Sequence, residues 1–140
     1  MTTFTLKQPG ISITPAFIAL LQKTLEQKTI EGPFCSLHFK DSSYSAEQGG
    51  FHPVEIGLNR VNQNHWELLY ITEYAYYSGV YPELERCIDF DISNQMAYTQ
   101  MSGWQDIRHR EIRELYQLWE GNFLSYVESG SLDEIQVRAN

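Results

Sequence analysis

The stretch Asp41-Ser42-Ser43-Tyr44-Ser45-Ala46-Glu47-Gln48-Gly49-Gly50-Phe51-His52-Pro53-Val54-Glu55-Ile56 decides the fold, together with Trp66-Glu67-Leu68-Leu69-Tyr70-Ile71-Thr72 and Ile88-Asp89-Phe90-Asp91-Ile92. Its first ten residues are polar and end in Gly-Gly, which reads as a loop. From Phe51 onward the side chains alternate at the period of two that a half-buried strand requires. His52, Val54, Ile56 and Leu58 take one side of a strand over 51–60. Asn62-Gln63-Asn64 reads as a hairpin turn, because Asn tolerates the backbone of tight turns. In the next strand, 65–76, Trp66, Leu68, Tyr70, Thr72 and Tyr74 face one way and Glu67, Leu69, Ile71 and Glu73 the other. Large apolar groups on both sides predict a central strand partly covered on both faces, by helices or by a subunit. Over 84–92, Leu84, Arg86, Ile88, Phe90 and Ile92 oppose Glu85, Cys87, Asp89 and Asp91, and the acidic side is expected to be solvated. Ser93-Asn94 then turns the chain into a strand over 95–101.

Working outward, Cys35, Leu37 and Phe39 alternate with Phe34, Ser36, His38 and Lys40 in a further strand. Thr14-Pro15 is a helix start, with Thr as the cap and Pro in the first turn. Phe17, Leu20, Leu21 and Leu25 recur at helical spacing, predicting a helix over 14–29 that Gly32-Pro33 closes. A Pro9-Gly10 break precedes it, and a short strand at Ile11–Ile13 is one reading of the lead-in. After Gly103, the residues Trp104, Ile107, Ile112, Leu115, Leu118, Trp119, Phe123 and Tyr126 recur in steps of three and four, predicting a long helix over 104–128. Gly121 inside it marks a kink or a close approach to the sheet. Ile135 and Val137 give 131–140 the pattern of a tail or a short strand. The prediction is one α+β domain spanning 1–140: an antiparallel meander of about five or more strands over 33–101, flanked by an N-terminal helix and a long C-terminal one.

The net charge is −8, distributed as +2 over residues 1–40, −7 over 41–91 and −3 over 92–140. An acidic sheet disfavours direct binding to nucleic-acid backbones, which needs Lys and Arg to displace counterions. It suits a basic protein partner. No run of residues has the length or apolarity of a membrane span, and the N-terminus lacks a signal-peptide pattern. A cytoplasmic location is therefore expected, with Cys35 and Cys87 as free, buried thiols.

The candidate functional loop comprises Asp41, Tyr44, Glu47, Gly49, Gly50, His52 and Glu55. His52 with Glu47 or Asp41 supplies the residue types of an acid–base pair. His52 and Glu55 are three apart, so on one strand they face opposite ways. The alternative is a tight loop whose Ser and Asp side chains cap their own backbone. His38, His52, His65 and His109 are dispersed and form no HxH or HExxH pattern, so no metal and no cofactor is expected. Asp89 and Asp91 share a strand side where a cation would fit, against the reading of a solvated edge. Gly49-Gly50 precedes a strand and no Lys follows, so it is not a phosphate loop. Tyr70, Tyr74, Tyr76, Tyr77 and Tyr81 read as core or interface. Two helices cannot cover both faces of so wide a sheet, so Leu69, Ile71, Tyr74, Tyr76 and Tyr77 are the candidate interface of a homo-oligomer, most simply a dimer. The function expected from these features is that of a non-enzymatic, acidic interaction protein with a protein partner. The alternative is a small hydrolase or lyase using His52 with Glu47 or Asp41.

The run Ser43–Ile56, together with Trp66–Thr72, Tyr81-Pro82-Glu83-Leu84 and Ile88–Asp91, resembles a bacterial family of small proteins of unknown function, often found on genomic and pathogenicity islands. The resemblance covers roughly residues 30–130. It implies a fold similar to that of the acidic mitochondrial matrix protein that binds complement globular heads: a twisted antiparallel sheet flanked by N- and C-terminal helices. It also implies ring-like oligomers, here a trimer. It supplies no catalytic residues.

Overall fold

The computed structural model describes residues 3–5, 10–77 and 82–139. In chain order its elements are β1 (Thr3–Thr5), α1 (Pro15–Leu25), β2 (Phe34–Lys40), β3 (Val54–Asn62), β4 (His65–Tyr76), β5 (Leu84–Asp91), a single 3-10 turn at Ile92–Asn94, β6 (Met96–Thr99), β7 (Gly103–Asp106), α2 (Arg110–Glu128) and β8 (Glu134–Ala139). The strands form one sheet in the order β7-β6-β5-β4-β3-β2-β8. Every pair along that path is antiparallel. β1 lies parallel to the start of β4, pairing Thr3 with His65. The predicted loop around Ser78-Gly79 and Tyr81, and Pro9 of the lead-in break, lie outside the described residues.

One irregularity decides what faces the core. Gly57 pairs with Tyr70 but Leu58 pairs with Leu68, so Leu69 is an extra residue in β4. Such a bulge reverses the phase of the strand beyond it. Trp66 and Leu68 are buried before the bulge, and Ile71 and Ala75 after it. Tyr70, Thr72 and Tyr74 therefore face the opposite way from Leu68. Simple alternation had put them together, and this corrects the reading of β4 as apolar on both sides. Ile71, expected at an interface, is 1% exposed and belongs to the core. A second shift, between Glu73–Ile88 and Tyr74–Arg86, leaves Cys87 as the extra residue in β5.

Two cross-strand rows result. Leu37, Ile56, Ile71, Phe90 and Ala97 are in register across five strands and are all buried on the helix side. His38, Glu55, Thr72, Asp89 and Tyr98 form the neighbouring row on the other face. The solvated acidic side expected for β5 is corrected at Asp89, which is 5% exposed.

Both helices lie on the apolar face. Thr14 caps α1 by accepting from the Phe17 amide at 3.2 Å. The helix ends at Leu25, before the predicted 29, in a turn of i→i+3 bonds from Gln27 and Lys28. Phe17, Leu21 and Leu25 join Ile112, Tyr116, Trp119 and Phe123 of α2 in the core cluster. Phe123 packs edge-on to Phe39 with ring centroids 5.1 Å apart, and Trp119 stacks on Phe123 at 5.0 Å. Buried Glu120 ties the helices together: its carboxylate accepts from the Thr14 amide at 3.2 Å and the Tyr116 hydroxyl at 2.6 Å. α2 begins at Arg110 rather than 104, because Gly103–Asp106 pairs with β6 and places Trp104 beside Tyr98, centroids 5.3 Å apart.

Two glycines separate a required residue from a tolerated one. A Cβ on Gly57 would lie 2.0 Å from the Tyr70 ring, whereas one on Gly121 meets nothing within 4 Å, so Gly121 marks no close approach to the sheet. Gly57→Ala is expected to cost about 1–3 kcal/mol through overpacking, and Gly121→Ala to stabilise by up to about 1 kcal/mol through helix propensity. Urea denaturation of the two variants measures both. Equal and opposite shifts in the other direction would mean that the Tyr70 ring does not lie over Gly57.

Candidate functional site

The loop before β3 is held by Asp41. Its carboxylate accepts from the Ser43 amide at 2.9 Å, the Ser43 hydroxyl at 2.6 Å and the Phe51 amide at 3.0 Å. Gly50 passes close to it with φ 132°, and a Cβ there would lie 2.7 Å from Asp41 Oδ2. Only glycine adopts that backbone readily. The Tyr44 hydroxyl accepts from the Tyr76 amide at 2.8 Å, and the Tyr44 ring stacks on Tyr76 and tilts against His52. Glu47 and Gly49 are exposed. Among the predicted loop residues, Asp41, Tyr44 and Gly50 thus build the loop.

The carboxylate that His52 meets is Glu73, with Nδ1 and Oε2 2.8 Å apart, rather than Asp41 or Glu47. Glu73 follows Ile71 on the helix side of β4, and its other oxygen accepts from the Trp119 indole at 2.8 Å. The thiol of Cys87, the bulge residue of β5, lies within 4.8 Å of a Glu73 carboxylate oxygen. Burial, then Glu73, pushes its thiol above the ordinary value of 9.0, with the Tyr77 bond opposing. Cys35 is deeper, and burial pushes its thiol up to about 11. His52 and Glu73 open onto a groove of about 440 Å³ along α2, lined also by Phe51, Leu115, Leu118 and Tyr126. Glu73 and Cys87 are the residues that sequence reasoning missed. Their one signal is that Glu73 is in phase with Ile71, and the bulge conceals that this side of β4 faces the helices.

Glu55 lies on the opposite face of the sheet from His52, as their spacing predicts. It accepts a hydrogen bond from the Tyr70 hydroxyl and sits 3.8 Å from His38 Nδ1. His38 Nε2 is 2.8 Å from the Ser36 hydroxyl. Burial holds His38 below the ordinary imidazole value, against the pull of Glu55. Asp89 is bound on one side by Arg86, Nε to Oδ2 3.2 Å. Its Oδ1 is buried and has no hydrogen-bond partner among the described residues. Burial raises the Asp89 pKa, with Arg86 and Thr72 opposing. The carboxylates of Glu55, Asp89 and Asp91 surround a depression of about 430 Å³, with Tyr70, Tyr74 and Arg86 on its rim.

The family model described as "Protein of unknown function (DUF2787)" matches residues 15–138. The chain belongs to this family. No curated protein matches it. It is similar to the conserved hypothetical protein VC1805 from pathogenicity island VPI-2 of Vibrio cholerae, at 46% identity, over 96% of this chain and 98% of that one, with a TM-score of 0.84. That protein is described as sharing structural homology with the human P32 protein. A second similar structure, the hypothetical protein VC0508 from the VSP-II pathogenicity island of the same species, is 36% identical over 96% of this chain and 100% of that one, with a TM-score of 0.85. The family fold is therefore the two-helix, single-sheet α+β arrangement described above. No helix among the described residues is long and apolar enough to cross a membrane.

Asp41 gives the loop a pH signature. Its hydrogen bonds to Ser43 and Phe51 lower its pKa below the ordinary 3.8. A carboxyl group depressed in the folded state stabilises the fold above its unfolded value and loses that contribution as pH falls through the folded one. Asp41→Asn is therefore expected to melt below the parent chain at about pH 6 and to converge with it near about pH 2. Thermal melts across that range check the point, and a constant difference at every pH would show that the carboxylate does not hold the loop.

Proposed function

We infer that the chain is a non-enzymatic interaction protein that receives a basic segment of a protein partner on the helix-free face of its sheet. One observation carries this reading: the buried Asp89 Oδ1, without a donor among the described residues, beside Glu55 and Asp91. A buried acceptor left unpaired costs about 1–3 kcal/mol. A lysine or arginine entering the depression offsets the two carboxylates left over after Arg86 and, with a turn of the Asp89 side chain toward it, supplies the missing donor. Tyr70 and Tyr74 on the rim offer ring faces to the same cation. The acidic middle of the chain, −7 over residues 41–91, favours the encounter.

An Arg- and Lys-rich peptide titrated into the protein tests it. Binding that weakens with salt and falls at least tenfold in Asp89→Asn is the expected result. In the free protein the raised Asp89 pKa means that its carboxyl favours the fold below its unfolded value and ceases to do so as pH rises through the folded one. Asp89→Asn is accordingly expected to fold at pH 7 with a midpoint equal to or roughly 3 °C above the parent. A variant that keeps its peptide affinity, or a peptide that does not bind even at low salt, overturns the reading.

Self-association is a separate proposal, supported by the partly exposed Leu69, Tyr74, Tyr76 and Tyr77 and by the ring-like assembly implied by the family resemblance. A dimer is the simplest form and a trimer the ring form. Sedimentation equilibrium at micromolar protein is expected to give a multiple of 16.3 kDa, and a single 16.3 kDa species throughout would exclude it.

A further inference from the structure

His52, Glu73 and Cys87 bring three different metal-ligating groups together from the loop before β3, from β4 and from β5. One donor atom from each lies within 4.8 Å of the other two. A tetrahedral zinc about 2.0–2.3 Å from each donor needs them roughly 3.5 Å apart, so side-chain adjustment alone closes the set. The backbone is already committed to the arrangement. The bulge at Cys87 places its thiol within 4.8 Å of a Glu73 oxygen, and the Trp119 indole fixes the carboxylate through its second oxygen at 2.8 Å. A donor behind a ligating carboxylate is what orients ligands in metal centres. The His52 side chain is 39% exposed, and it lines the 440 Å³ groove together with Glu73, so an ion has a way in and a fourth position open to the groove.

We propose that His52, Glu73 and Cys87 form a binding site for a divalent transition metal of the zinc class, with Trp119 as the residue that positions Glu73. The mixed nitrogen, oxygen and sulfur set selects zinc or cobalt over magnesium and calcium, which take oxygen ligands alone. The site lies on the opposite sheet face from the Asp89 depression, so it stands independently of the proposed partner binding.

The test uses the full chain, reduced and stripped of metal, with Co²⁺ and Zn²⁺ salts as the probes. One cobalt per chain is expected, with the thiolate charge-transfer absorption and the visible bands of a four-coordinate centre. Cys87→Ser is expected to abolish the charge-transfer band and Cys35→Ser to retain it. His52→Ala, a change at a half-exposed position, is expected to weaken zinc binding at least tenfold with an unchanged near-ultraviolet circular dichroism spectrum. Trp119→Phe is expected to weaken it about tenfold while leaving the absorption bands in place, as a change behind the ligands does. A parent chain without the cobalt bands, a band that survives Cys87→Ser, or a His52→Ala affinity within twofold of the parent overturns the site.

Discussion

One additional residue in the central strand, Leu69, determines which side chains meet the helices. A strand has only two faces, and an inserted residue exchanges them for everything that follows. Without it, Trp66 and Leu68 would share a face with Tyr70 and Thr72, and Ile71 would point away from Phe90 and Ile56. The buried row from Leu37 to Ala97 exists because the phase is reset. Gly57 makes room for the reset, since the Tyr70 ring occupies the space where a Cβ would be. The bulge at Cys87 repeats the device one strand further on and brings a thiol to Glu73.

The two faces treat buried carboxylates differently. Glu73, under α2, has both oxygens engaged, by His52 and by the Trp119 indole. Glu120 accepts from Thr14 and Tyr116 through one oxygen, Oε2. Asp89, on the face without helices, has one oxygen facing Arg86 and the other without a hydrogen-bond partner among the described residues. Buried polar atoms in folded proteins are nearly all paired, which sets Asp89 apart from Glu73. His38, Ser36 and Thr72 are also buried on that face, which gives the helix-free side the character of a polar recess rather than a wetted surface.

Alternation in β2, β3 and β5 and the Thr14-Pro15 start were sufficient to read an antiparallel meander with two helices. β1 escaped because three residues carry too little pattern. β7 escaped because Trp104 and Ile107 satisfy helical spacing as well as they fit a strand followed by a turn. Bulges are invisible to a period-two reading, and the assignment of Ile71 to an interface follows from that; Asp89 was read on its correct face, and what alternation could not show is that this face is itself closed over it. The loop was legible as a feature, including the self-capping role that Asp41 takes. The partner of His52 was not legible, since Glu73 is 21 residues away and its approach depends on the phase of β4.

The outer position of β2 is closed by β8, which pairs Cys35 with Ala139 and Lys40 with Glu134. During synthesis β2 emerges early, while the strand that covers its edge is made only after α2. For that interval the amides and carbonyls along one side of Phe34–Lys40, an apolar and aromatic run, have no strand to pair with. Unpaired edges of this kind invite association between nascent chains. Pairings so distant in sequence also slow folding. Slow translation between residues 41 and 134 would therefore lengthen the period in which a chaperone has something to protect.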